Sequence, residues 1–251
     1  MAERISLIDA SDQDFQQAVE SALRYLRAGE VIIAAAEHGY VYLANAFDKD
    51  AVNAIQILRT NSPGVTLQVL VRDRNMALGL AAALTVQQQS VLDKFWPGLL
   101  SVTVKAQPGL TWNLGDDRRL GKVNLRSPKK KFLQAILEQS GPLATSSAAR
   151  AGKSAVVDSN TLEVYENDIG AIFDGLNQFT SSGCESHEAR QAVWESLGLK
   201  HLGVIDITTF TDDGITGAAQ NICPHVNGSS PRLEFTRKAV MHALKLSLGS
   251  I

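Results

Sequence analysis

The sequence predicts an α/β protein built on a mixed sheet, and three observations carry that expectation. Short β-rich runs such as Val31–Ala36 and Leu67–Val71 alternate with segments whose apolar residues recur at helical spacing. His38-Gly39 joins two consecutive strand-like runs through a tight turn, so part of the sheet is antiparallel. The composition is that of an ordinary globular chain, with 251 residues, 45% hydrophobic and 20% charged. Such a chain can bury a sizeable core without disulfide or metal staples.

The elements follow in order. Ser11 opens the first helix, and Asp14 three residues on makes a variant capping box. Phe15, Val19, Ala22, Leu23 and Leu26 then share one face, and Gly29 closes the helix. Val31–Ala36 and Tyr40–Ala46 are strands, Asp50–Leu58 a helix and Leu67–Val71 a strand. Met76–Leu84 and Gln87–Phe95 are helical, and Pro97-Gly98 ends the second. Leu100–Val104 and Val123–Leu125 are strands. Phe132–Leu137 is the core of a helix that stops at Gly141-Pro142. Leu143–Ser147, Ile169–Phe173 and Val204–Ile207 are further strands. Ala189–Leu197 and Leu233–Leu248 are helices, the last one amphipathic. The weakest boundary falls near Thr211, where Asp212-Asp213-Gly214 and Asn227–Pro231 read as loop. Residues 1–209 are expected to form one domain. Residues 210–251 are expected to be a tail carrying one helix.

Several classes are excluded. The net charge of -2 argues against a protein whose whole surface binds nucleic acid. Cys184 and Cys223 form no CxxC pair, so a structural zinc site is not expected, and both should be reduced thiols. The five histidines show no ligand spacing, and no metal site is expected. Neither a signal peptide nor a membrane-length apolar run is visible, so the expected location is the cytoplasm. GxGxxG and GxSxG motifs are absent, and Gly115–Lys122 is one residue too long for a P-loop.

The average charge hides a local feature. Arg118, Arg119, Lys122, Arg126, Lys129, Lys130 and Lys131 fall within 14 positions that contain no acid. Lysines at a helix N-terminus oppose the macrodipole, so the run at 129–131 needs a compensating anion. Phosphates of a nucleotide or RNA would supply one, whereas the plain alternative is a solvated loop and helix start. Ser146–Gly152 is a small-residue loop after a strand, able to bring backbone N–H groups close to a phosphate.

Taken in order, Phe95-Trp96-Pro97-Gly98, Val123–Pro128 and Gly141-Pro142-Leu143 leading to Ser147-Ala148 resemble the YrdC-type threonylcarbamoyl-AMP synthase family. Asp174-Gly175 and Val204–Thr208 resemble two later family blocks, so the resemblance runs from about Ala18 to Thr208. It implies a single YrdC-like domain, with a twisted mixed sheet flanked by helices around an open basic cavity. It also implies a reaction joining L-threonine, bicarbonate and ATP with release of pyrophosphate. ATP and Mg²⁺ would be required, and the product serves tRNA modification. Some members are described as binding double-stranded RNA.

The sequence departs from the family where substrates would bind. The family strand-turn P-T-[DE]-T-x-Y-G-x-G is here Ala35–Leu43. Glu37 and Tyr40 survive, Ala36 and His38 replace the threonines, and Val41 and Leu43 fill the glycines. Glu37, His38 and Tyr40 are therefore the remnant of a substrate site. The family K-G-R is here Arg59-Thr60-Asn61, and S-x-N is Ser147-Ala148-Ala149. Leu202-Gly203 replaces a Ser-Thr pair, and a helical stretch near Glu185–Leu199 is inserted before it. The resemblance makes Arg59, Ser147 and Arg126 the expected nucleotide or phosphate contacts, with the remaining cations of the run as a basic patch. No residue is assigned as catalytic.

Three functions fit these residues. The first is a divergent threonylcarbamoyl-AMP synthase. The second is a relative that keeps nucleotide or RNA binding with the family activity weakened or lost. The third is a non-catalytic partner subunit that uses the inserted and tail helices.

Overall fold

The computed structural model describes residues 2–175 apart from 38, 99, 118, 120, 154 and 164–167, together with the strand backbones at 203–206, 210–211, 214–215 and 219–221. The helices expected at Ala189–Leu197 and Leu233–Leu248, and both cysteines, lie outside the described residues.

The elements run β1 (Glu3–Ser6), α1 (Asp12–Arg27), β2 (Ile32–Ala36), β3 (Gly39–Asn45), α2 (Lys49–Leu58), β4 (Gln68–Leu70), α3 (Arg74–Leu80) and α4 (Val86–Phe95). Then come β5 (Ser101–Lys105), β6 (Lys122–Arg126), α5 (Lys131–Ser140), β7 (Leu143–Ser147) and β8 (Ala171–Asp174). The last strands are β9 (Gly203–Asp206), β10 (Phe210–Thr211), β11 (Gly214–Ile215) and β12 (Ala219–Asn221). Ten strands form one sheet in the order β1-β8-β2-β3-β7-β4-β6-β5-β9-β12. It is mixed, as expected: β2 and β3 pair antiparallel through the turn at Gly39, whereas β4 and β6 pair parallel.

Local chemistry explains the helix starts. Ser11 caps α1 by accepting from the Asp14 N–H at 3.2 Å, and Asp48 caps α2. Asp73 caps α3 by accepting from the Met76 N–H at 2.9 Å. That bond, ahead of the Arg72 ion pair, holds the Asp73 carboxyl below its ordinary pKa. Asp73→Ala should therefore cost about 1 kcal/mol near neutral pH. A carboxylate with a depressed folded pKa contributes its stability above the unfolded value of about 3.9 and loses it as pH falls. Urea unfolding should show the gap between parent and variant narrowing below about pH 4.

The sheet is covered on both faces, which is why β2 and most of β3 are buried along their length. Ile32, Ala34, Val41, Leu43, Leu70 and Phe173 pack under α1 and α5. Ile33, Ala35, Tyr40, Tyr42 and Val69 pack on the opposite face with Ala51, Val52 and Ile55 of α2.

Three features differ from the expected outline. Strand β1 was not expected, because Glu-Arg-Ile-Ser is mostly exposed and carries no apolar alternation; it pairs parallel with β8. Gly214, expected in a loop, opens β11, which pairs antiparallel with β10. Strand β12 pairs antiparallel with β9, so the main sheet continues past residue 209. No helix among the described residues is long and apolar enough to cross a membrane.

Candidate functional site

Register decides which side chains share a face. Ser147 stands opposite Val41, Leu143 opposite Leu70, and Leu70 opposite Arg126. Alternation along β7 puts Ser147 on the face of Leu143. Ser147, Val41 and Arg126 therefore lie on the face that α1 and α5 cover. Arg59 belongs to the other layer, at the C-terminus of α2.

The centre of this face is a buried ion pair. The Arg126 guanidinium donates through Nη2 to Glu37 Oε2, and the two side chains are only 5% and 6% exposed. Glu37 Oε1 accepts from the backbone N–H of Lys129 and, at 2.9 Å, from that of Lys130. Arg126 Nε also donates to the Gly98 carbonyl at 3.1 Å. Gly98 is required at that corner, since a Cβ there would meet the Phe95 carbonyl oxygen at 2.6 Å. The compensating anion at the start of α5 is thus supplied from within. Lys130, the N-cap of α5, makes no side-chain cap bond, and the Glu37 carboxylate, 93 residues away, sits on the Lys129 and Lys130 N–H groups just ahead of the helix. The expected phosphate contact Arg126 is, in this structure, the partner of Glu37.

Tyr40 is held on the other side of the same turn. Its hydroxyl donates to Asp174 Oδ1, and Ser159 donates to Asp174 Oδ2 at 2.6 Å. The Tyr40 N–H donates to the Val156 carbonyl at 2.8 Å. Gly39 must be glycine, because its φ is +135° and a Cβ would meet that carbonyl oxygen at 2.6 Å. Burial, and then the bond to Asp174, push the Tyr40 phenol well above its ordinary pKa. A raised folded pKa means the unfolded chain ionises first. Stability should hold below about pH 10 and fall above it, and Tyr40→Phe should remove part of that fall in urea unfolding compared at pH 9 and 11.

Arg59 and Ser147 come together, but through the backbone. Arg59 Nη1 donates to the carbonyls of Ser147 and Ala149, each at 2.6 Å. Burial pushes the Arg59 guanidinium pKa down, with Tyr42 opposing. Arg59 Nε and Ser147 Oγ are both buried with no hydrogen-bond partner among the described residues. Asn61, at the arginine of the family K-x-R, donates its amide to Gln56 Oε1 at 2.5 Å. Val41 and Leu43 fill core space under α1 and α5.

The basic run is divided by β6. Lys122 opens that strand opposite Lys105, and Arg119 is exposed beside Asp117 at 3.7 Å. Lys129, Lys130 and Lys131 lie past the other end, about 13 Å along the strand from Lys122. Lys129 and Lys131 are exposed, and Lys131 Nζ sits 4.9 Å from the Phe15 ring centroid. Arg118 and His38 lie outside the described residues. A groove of about 380 Å³ is lined by Lys49, Asn53, Gln56, Asn61, Asn113 and Asp117 among others, and by none of the expected site residues that are described. Ser159, and Asp174 as the partner of Tyr40, were not foreseen as site residues. The tyrosine and its carboxylate are 134 residues apart, with no shared motif to link them.

Residues 24–186 match the Sua5/YciO/YrdC family, whose description reads telomere recombination. A protein of Mycobacterium leprae (strain TN) named as a threonylcarbamoyl-AMP synthase is 32% identical over 153 residues, covering 61% of this chain and 69% of the relative. Among solved structures, a P. abyssi Sua5 variant superposes with a TM-score of 0.65 at 22% identity, over 84% of this chain and 55% of that one. E. coli YciO gives 0.62 at 19% identity, over 88% of this chain and 96% of that one. The chain therefore spans 55% of the length of that Sua5 and nearly all of YciO.

Proposed function

The chain belongs to the Sua5/YciO/YrdC family, and on that premise we propose that it binds nucleotide or RNA while the family's threonylcarbamoyl-AMP synthesis is weakened or lost. The observation that carries this reading is the loss of two ligand-binding side chains, at the arginine of K-x-R and the asparagine of S-x-N, in a chain that keeps Glu37, Tyr40 and Arg126. Asn61 offers an amide, engaged by Gln56, where the resemblance expects a cation. Ala149 has no side-chain amide to offer a nucleotide. A charge-assisted bond to phosphate is worth about 1.5–3 kcal/mol, so doing without two of them lowers turnover by orders of magnitude.

What remains favours binding. Ser147 Oγ is buried on the face of Arg126 with no partner among the described residues, and a buried polar atom of that kind calls for a ligand or water. Lys129 and Lys131 are exposed and present positive charge at the start of α5. Among the described residues no group of three His, Cys, Asp or Glu is placed to hold a metal. Mg²⁺ would arrive on the ATP phosphates and neutralise their charge.

The test is binding against salt. Purified protein is titrated with ATP and, separately, with a short RNA duplex at about 50 and about 300 mM salt. At least one ligand should bind, more weakly at high salt, and Lys129→Ala with Lys131→Ala should weaken it several-fold. No binding of either ligand at the lower salt would overturn the binding half of the proposal.

A further inference from the structure

Where the resemblance expects a lysine on phosphate, this chain has Arg59, and its guanidinium is turned to the backbone of the loop that follows β7. Nη1 bonds the carbonyls of Ser147 and Ala149 at 2.6 Å each, and the Arg59 carbonyl accepts from the Ala151 N–H at 2.7 Å. Three bonds from one residue thus hold a five-residue stretch. From the other side, Ala148 donates its N–H to the Tyr40 carbonyl at 2.8 Å. Thr60 then takes φ +54°, which turns the chain away directly after Arg59.

The direction of approach matters as much as the bonds. The α2 helix packs with Ile33, Tyr40 and Tyr42 on one face of the sheet, whereas register puts the Ser147 and Arg126 side chains on the other. Arg59 therefore reaches the loop from behind, and its Nε is buried.

We infer that Arg59 is a positioning residue that fixes the 147–151 loop from the α2 side, not a phosphate contact. This rests on the nucleotide-binding reading above only for its effect on affinity; the effect on the loop stands alone. The planar fork suits the task, because two N–H groups of one nitrogen meet two carbonyls two residues apart. A lysine has the charge but not the fixed geometry.

The two roles predict different results for Arg59→Lys and Arg59→Met. A positioning role predicts that both variants speed amide hydrogen exchange at residues 148–153 by about tenfold or more. It also predicts that both weaken ATP binding alike, with its salt dependence unchanged. A phosphate contact predicts that lysine binds ATP as well as arginine does. It further predicts that methionine flattens the salt dependence while the loop amides stay protected. Unchanged loop exchange in both variants, or full ATP affinity in Arg59→Lys, overturns the inference. If the parent binds no ATP, the binding proposal fails by itself and the exchange measurement still decides the role of Arg59.

Discussion

Glu37→Ala should lower the stability of the fold by about 3–5 kcal/mol, one of the two largest single-residue effects expected in this protein. The reason is what it leaves behind. Arg126 would keep its charge at 5% side-chain exposure, with the Gly98 carbonyl but without its carboxylate. The N–H groups of Lys129 and Lys130 would lose their acceptor, and α5 the anion at its N-terminus. For a chain of this size the midpoint of thermal unfolding should drop by on the order of 10 °C. Removing the charge as well distinguishes this cause from a simple loss of packing. Glu37→Leu combined with Arg126→Met should recover much of the loss, because an apolar pair of similar volume carries no desolvation cost. A double variant as unstable as Glu37→Ala alone would mean that the pair matters for its shape and not its charge.

Phe173→Ala should cost a similar amount, about 3–5 kcal/mol, by a different route. Phe173 is fully buried on β8, under α1 and α5, with its ring centroid 5.0 Å from that of Phe132. Its removal leaves a cavity beneath α5 without disturbing Glu37 or Arg126. The denaturation midpoint should fall with an unchanged dependence on denaturant, and no polar double substitution should restore it. A loss below about 1 kcal/mol would show that the site collapses around the cavity.

The outline of the fold was legible because it is written in local signals. Ser11 and Asp14 marked the first helix start, and Gly39 marked the hairpin, where its positive φ has a structural cause. Strand β1 was not legible, since an edge strand of four mostly exposed residues has no apolar pattern to read. The site was legible only as a set of residue types. The sequence marks both Arg126 and Glu37, one as a phosphate contact and one as a substrate remnant. Their pairing over 89 residues depends on how β2 and β6 sit in one sheet, which no local pattern encodes. Arg59 shows the same limit more sharply. Its charge suggested an anionic ligand, but its acceptors are main-chain carbonyls, and every residue in the sequence has one. The basic run looked continuous for a similar reason, as sequence distance ignores the strand that separates its two ends.

The central question is whether a fold of this family still carries out synthesis with Asn61 and Ala149 in place of ligand-binding side chains. Pyrophosphate release from ATP, L-threonine, bicarbonate and Mg²⁺ measures that directly. Release should be at least about a hundredfold slower than that of a relative with the full K-x-R and S-x-N set, assayed alongside it. Release at a comparable rate, abolished by Ser147→Ala, would contradict the proposed loss of activity and make the chain a working synthase.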